Sequence, residues 1–371
     1  MPASVYSSLA DRAARAGGPV YPFHVGDTWM EPAEVARMEA LTVARHPGMH
    51  RYAPVRGVPA LVERLCERVG ARTGLAVRPP ELLLTGGGTG GLGAVVGATV
   101  EPGDEVLLLA PYWPLISGIV RTFGGVPVPV PVLDRGSPSV DELSAAIRAA
   151  ATDKTVAIYL NTPNNPTGRL LSREAVAAVA AIATERGWWI YADEVYEDLV
   201  YDGVHTWTRP FAPERTFSCY SFSKAYGMAG NRLGYVIGPE EPMVDVGKVG
   251  LYTVYSAPTA SQLAALEVLS EAGDTWIAAA RAKYREIGRA AAAALDLPPP
   301  EGSTFLFFDL APHLDARGLG GFLEDCADRG LLLAPGPSFG PFPTSARLCY
   351  TAAPPEVTEA GVELLRRVLT A

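Results

Sequence analysis

Lysine is nearly absent from this chain: among 371 residues only Lys154, Lys224, Lys248 and Lys283 occur. Any chemistry that needs a side-chain amine therefore has four candidates. Cysteine is equally scarce, with Cys66, Cys219, Cys326 and Cys349 far apart. No C-x-x-C pair exists, and none of the four stands at metal-ligand spacing with a histidine. Buried thiols in a reducing compartment are expected. Of the five histidines, His46 and His50 are four apart, but Pro47 and Gly48 between them argue against one helix face. No metal site is expected. No run of Lys and Arg occurs, the formal net charge is −9 and the pI is about 5.2, so no nucleic-acid footprint is indicated. No uninterrupted apolar run is long enough to span a bilayer. Met1-Pro-Ala-Ser-Val-Tyr6 opens without the apolar core of a signal peptide. The expected location is the cytoplasm, and no membrane partner is expected.

What is present is ordinary for a packed protein: 48% hydrophobic and 19% charged residues. The length fits two domains or one large one. Short apolar runs at Glu81–Leu84, Glu105–Ala110, Val156–Leu160, Trp188–Ala192, Thr216–Tyr220 and Leu233–Ile237 read as strands. Between them lie helical stretches such as Ser172–Gly187, with Ser172 as N-cap and Gly187 as stop. This alternation predicts an α/β fold with a mainly parallel sheet. Val126–Val132 carries Pro at alternate positions and is expected at an edge or in a loop. The ends read differently. Residues 1–44 hold a helical piece and a Gly/Pro-rich segment. Residues 256–371 hold a long Ala-rich helix, a strand at Phe305–Leu310 and a final helix. The reading is a large domain over 45–255 and a smaller α+β domain built from 1–44 and 256–371.

The candidate functional residues follow the expected strands, where ligands bind in open parallel sheets. Thr85-Gly-Gly-Gly-Thr-Gly-Gly91 sits between a strand and an apolar helix. Its glycines permit close backbone approach, and free N–H groups at the helix start suit a phosphate; a tight structural turn is the other reading. It is no P-loop, because no Gly-Lys-Ser/Thr follows. Tyr112-Trp113 offers an aromatic face for a flat ring or for the core. Asn161-Thr-Pro-Asn-Asn-Pro-Thr-Gly168 must turn, and Asn165 is a candidate donor. Asp193-Glu-Val-Tyr196 places a carboxylate at a buried strand end, which is costly without a partner such as a protonated ring nitrogen, a salt bridge or a helix cap. Ser221-Phe-Ser-Lys224 precedes Asn231-Arg-Leu-Gly-Tyr235. Lys154 stands ahead of a strand, Lys283 in a charged helix and Lys248 between helical segments. Only Lys224 stands at a strand end among small and hydroxyl residues, which makes it the imine-forming candidate. Arg347 offers a guanidinium fork suited to a carboxylate.

From about Gly26 to Arg347 these pieces, in this order and spacing, resemble the class I/II aminotransferases, pyridoxal-phosphate (PLP) enzymes of fold type I. The most specific matches are Asn165-Pro-Thr-Gly168, Asp193-Glu-Val-Tyr196 and Ser221-x-Ser-Lys224 with Gly230-x-Arg232-x-Gly234. Tyr52 with Gly57, and Pro335-Gly-Pro-Ser-Phe-Gly340, also match. The resemblance implies that Lys224 holds pyridoxal 5'-phosphate as a Schiff base and later shuttles a proton. It implies that Asp193 keeps the ring nitrogen protonated. Asn165 and Tyr196 would bond the phenolic oxygen, Trp113 would stack on the ring, and Gly88, Thr89, Ser221 and Arg232 would hold the phosphate. Arg347 would take the substrate α-carboxylate, with Gly26 and Asn165 beside it. Tyr52 would reach the phosphate of a neighbouring subunit, implying a homodimer. The implied substrates are an amino acid and a 2-oxo acid.

The chain departs from the family pattern in three ways. The glycine loop is unusually rich in Gly. It lacks the Lys that some aspartate-type relatives use for a second carboxylate. Ile116 stands where many relatives carry Tyr. The second departure weakens a dicarboxylate substrate, and Trp29, Met30, Tyr6 and Phe305 are candidates for a more apolar pocket. Transamination is the expected outcome. Elimination or replacement, cyclisation and oxidation share its first steps. A catalytically silent binding protein of this fold would ordinarily lose Lys224 or its partners. A nicotinamide-dependent dehydrogenase would need G-x-G-x-x-G followed by an acidic residue at the end of the next strand, about 20 residues on, and that order does not occur.

Overall fold

The computed structural model describes residues 5–134, 136 and 138–370, with side chains from residue 8 onward. Its centre is a seven-stranded sheet built from β1 (Leu82–Thr85), β2 (Glu105–Ala110), β3 (Val126–Pro131), β4 (Thr155–Asn161), β5 (Trp189–Asp193), β6 (Thr216–Ser221) and β7 (Gly234–Ile237). The order across the sheet is β1-β7-β6-β5-β4-β2-β3. All neighbours run parallel except β7, which is antiparallel to both β1 and β6. The strands read as continuous apolar runs because helices cover both faces. Val95, Val106 and Leu108 belong to one face's core, and Leu107, Leu109 and Ile158 to the other's.

The proline-rich strand β3 lies at the sheet edge. Val126 and Val132 turn their N–H groups toward β2, donating to the carbonyls of Asp104 and Ala110. The intervening prolines at 127, 129 and 131 therefore fall on the free edge, where no N–H is needed. Boundaries move by a residue elsewhere. Glu81 lies in a 3-10 turn instead of a strand, because its carboxylate is drawn to Arg209 at 2.7 Å. Trp188 precedes β5, its N–H closing the preceding helix against the Ala183 carbonyl. Helix Arg173–Arg186 begins at Ser172, whose Oγ accepts from Ala175 N, and ends at Gly187 with φ +74°. Lys248 is not between helices: it lies inside helix Met243–Thr253, paired with Asp245 at 2.8 Å.

The chain ends pack together. A second, antiparallel sheet of β8 (Phe305–Asp309), β9 (Ala334–Pro335) and β10 (Ser345–Cys349) has the order β8-β10-β9. Tyr21 forms a bridge to Leu331, and helix Val5–Ala16 lies on helix Gly318–Ala327, where Arg12 pairs with Glu324 at 3.0 Å and Asp328 at 2.6 Å. The Ala-rich region is two helices, Thr259–Val268 and Glu271–Ala294, separated at Leu269–Ser270. Among the described residues no helix is long and apolar enough to cross a membrane.

Candidate active site

Strands β4, β5 and β6 end side by side. Asn161 pairs with Asp193 across one boundary and Asp193 with Cys219 across the next. The loops that leave these ends, together with the glycine turn after β1, enclose a cavity of about 140 Å³. Its wall contains Gly88, Thr89, Trp113, Asn165, Asp193, Tyr196, Ser221, Lys224 and Arg232. Nine residues singled out from sequence thus share one small space.

Asp193 forms the base of the cavity and is 3% exposed. One carboxylate oxygen accepts from Tyr159 Oη at 2.7 Å and the other from Val195 N at 3.5 Å. Burial pushes its carboxyl up to about 6, against the pull of Tyr159, the Val195 amide and Lys224. Among the described residues no cation forms an ion pair with this carboxylate. Lys224 donates from Nζ to the Gly26 carbonyl. Its ammonium is shifted below the usual lysine range, chiefly by burial, with Arg347 and Arg232 adding to the effect and Asp27 and Cys349 opposing it. Desolvation outweighs the neighbouring arginines as its cause.

The glycine turn opens helix Gly87–Thr99, and no side chain caps its first amides. Arg232, in the left-handed region at φ 52°, aims its guanidinium at that turn: a Cβ on Gly87 would stand 2.6 Å from Arg232 Nη2. Among the described residues no carboxylate pairs with Arg232, and Nη1 donates to the Ala229 carbonyl at 2.8 Å. The extra glycines serve packing. A Cβ on Gly88 would meet Val195 at 3.0 Å, and one on Gly91 would meet Cys219 Sγ at 3.2 Å, so the helix presses directly onto β6.

At the rim, Arg347 is 6% exposed. It donates to Asn165 Oδ1 at 3.0 Å and to the His24 carbonyl at 2.7 Å, with the Phe305 ring 4.3 Å below its guanidinium carbon. Gly26 touches that ring: a Cβ there would stand 3.1 Å from Phe305. Gly26 thus meets Lys224 through its carbonyl and makes room for Phe305.

Several expectations end elsewhere. Tyr112 is buried in the core, its N–H donating to the Phe339 carbonyl, so only Trp113 faces the cavity. Ile116 is fully buried in the same core. Trp29 and Met30 pack at the edge of the core beneath the chain ends and are not part of the cavity wall; Phe305 alone of the apolar set stands against the site residues. The side chain of Tyr6 falls outside the described residues. Tyr52 is 84% exposed, away from the cavity, with its ring 4.9 Å from that of Tyr255. Tyr159 was not singled out from sequence. It stands two residues before Asn161, on the same strand face, and only the order of β4 beside β5 brings it to Asp193.

Residues 19–365 match the family model described as aminotransferase class I and II. The chain belongs to this family. It is 34% identical over 340 residues to the aspartate/prephenate aminotransferase of Thermus thermophilus, covering 89% of this chain and 86% of that one. It is 33% identical over 304 residues to an arginine–pyruvate transaminase of Pseudomonas aeruginosa, covering 79% and 76%. Its backbone superimposes on a double mutant of Thermus thermophilus aspartate aminotransferase with a TM-score of 0.89 at 32% identity, covering 99% and 97% of the two chains. This class I/II aminotransferase has fold type I and is a PLP-dependent enzyme. Its own residues fit that cofactor. A buried carboxylate without a cation lies at one end of the cavity, and an unpaired guanidinium with uncapped helix amides lies at the other. An amine held by a carbonyl and an indole line the same cavity.

Proposed function

We propose that this aminotransferase works through Lys224, and that the cavity residues divide the task by the atom each can serve. The observation that carries this reading is the placement of Lys224 in one cavity with Asp193 and Arg232, a carboxylate and a guanidinium both lacking an ion-pair partner. Bound PLP supplies an electron-poor ring that accepts the electron pair released when the substrate Cα loses its proton. Asp193 holds the ring-nitrogen proton. Tyr159 and the Val195 amide hold Asp193 in place. Asn165 and Tyr196 bond the ring oxygen, and Trp113 covers the ring face. Gly88, Thr89, Ser221 and Arg232 hold the phosphate through helix amides, hydroxyls and a charge-assisted bond. The lowered affinity of Lys224 for its proton favours its role as a nucleophilic amine and then as a base that moves the proton away from Cα.

Arg347 takes the α-carboxylate of the amino acid and of the 2-oxo acid, held at that angle by Asn165 and the His24 carbonyl. Among the described residues Lys224 and Arg232 are the only cations in the cavity wall. This supports a substrate whose side chain carries no second carboxylate for this subunit to read. A homodimer completes the site, with Tyr52 reaching the partner subunit's phosphate. The domain division at residues 45–255 against the two chain ends, and a cytoplasmic location, belong to the same reading.

The test is a spectral titration of the PLP-loaded protein. Each member of a panel of amino acids is added, followed by a 2-oxo acid. Conversion of the cofactor's visible band by phenylalanine or leucine at lower concentration than by aspartate supports the reading. A preference for aspartate sinks the substrate part. A Lys224→Ala protein that folds, binds PLP and keeps turnover sinks the central assignment.

A further inference from the structure

A second cavity, of about 530 Å³, opens on the far side of the turn that follows β5. We propose that it binds a small amphipathic carboxylate, one with an aryl or branched hydrocarbon body and a single anionic head. The turn residues after Tyr196 form its floor, the end of helix Pro59–Thr73 one side, and helix Glu271–Ala294 the roof.

The floor is electrostatically closed. Arg72 donates to Glu197 at 2.8 Å and to Asp198 at 2.7 Å, and the Trp207 indole donates to Glu197 at 2.6 Å. Both acids are thereby spoken for. The roof is not closed. Arg281 and Arg285 line the cavity four residues apart, are exposed, and have no ion pair or hydrogen bond among the described residues. One helical turn separates them by about 6 Å, which lets both guanidiniums approach a single carboxylate. Apolar surface lies beside them: Ala278 and Ala282 on the same helix, and Val204, 81% exposed, across the opening.

His205 lines the cavity, is 6% exposed, and neither ring nitrogen has a hydrogen-bond partner. Its ring stands edge-on to Trp207 at 5.1 Å. Burial, and then Arg72, push the imidazole down to about 3, so it is neutral and offers one donor and one acceptor. Buried polar atoms of this kind are ordinarily satisfied. The free cation pair and the apolar wall together select a carboxylate with a hydrocarbon body over phosphate or a divalent cation. Glu197 directly follows Tyr196, so this cavity and the reacting centre share one stretch of backbone.

The test is equilibrium dialysis of the holoenzyme with labelled phenylacetate, which also counts any molecule held at Arg347. The double variant R281A/R285A should bind one fewer phenylacetate per chain, or bind that one at least tenfold more weakly. R281K/R285K should retain it in part, and Ala282→Trp, which fills the apolar wall, should abolish it. Both arginines are exposed and unpaired, so unchanged far-UV circular dichroism of the double variant is expected. An unchanged number and affinity of bound phenylacetate in R281A/R285A overturns the proposal. Equal loss of inorganic phosphate binding, with no preference for phenylacetate, would reduce the site to a bare cation pair and overturn the assigned ligand class.

Discussion

The carboxyl of Asp193 couples folding to cofactor binding through one proton. Its ordinary value is 3.8, and burial raises it to about 6 in the cofactor-free fold. The native state therefore holds this proton where the unfolded chain has lost it. The contribution to stability is present below about 4 and is lost as the pH rises through about 6. The gap corresponds to about 3 kcal/mol at neutral pH. Asp193→Asn removes the titration, so the cofactor-free variant should be more stable than the unaltered protein at pH 7 and closer to it at pH 4.5. Thermal melts of both proteins at the two values check this, and a gap independent of pH contradicts it. The same variant should bind PLP weakly and lose activity by orders of magnitude, because an amide cannot balance a ring-nitrogen proton. Tyr159→Phe removes the 2.7 Å bond to Asp193, and a several-fold weaker hold on PLP is expected from dialysis.

At the scale of elements, the glycine turn and β7 are locked by backbone contact. A Cβ on Gly234 would stand 2.6 Å from the Tyr220 carbonyl and 2.7 Å from Gly88 N, with main chain on both sides and nothing able to rotate away. Gly234→Ala should cost about 1–3 kcal/mol and weaken PLP binding, since the turn that meets the phosphate must shift. Gly247, inside helix Met243–Thr253, has open space where its Cβ would go. Gly247→Ala should therefore stabilise the protein by up to about 1 kcal/mol, because helix propensity is the only quantity changed. Chemical denaturation of the two variants separates these signs. The contrast also marks what sequence can carry. Strand ends, the caps at Ser172 and Gly187, and the proline edge of β3 were legible, because each is written within a few neighbouring residues. Lys224, Asp193 and Arg232 were singled out because each stands at or beyond a strand end in a distinctive motif. The antiparallel insertion of β7 between β1 and β6, and the reach of Tyr159 to Asp193, were not. Both depend on which strands lie side by side, and that order has no local signature. Gly91 had no assigned role in the sequence until the packing of its helix on β6 gave it a reason.

At the scale of the whole molecule, one face remains unexplained by a single chain. Tyr52 and Tyr252 are 84% and 81% exposed, Val254 is 56% exposed, and Tyr255, its ring tilted against that of Tyr52, is 46% exposed. Beside them an apolar cavity of about 230 Å³ is lined by Val55, Leu84, Phe123, Val249 and Tyr255. Large aromatic rings clustered in water mark interaction surfaces. A second copy covering this face would bury the aromatic cluster and carry Tyr52 toward the partner subunit's glycine turn, consistent with the pairing of Tyr52 and the phosphate that the family resemblance implies. Two variants separate assembly from chemistry. Tyr252→Asp with Val254→Asp places charges on the face and should shift sedimentation from dimer to monomer, with loss of activity at low protein concentration. Tyr52→Phe keeps the ring and removes only the hydroxyl. It should sediment as the unaltered protein does while holding PLP about tenfold more weakly, the worth of one charge-assisted hydrogen bond. If Tyr52→Phe holds the cofactor as tightly as the unaltered protein, Tyr52 serves the interface alone and each subunit's site is complete without it.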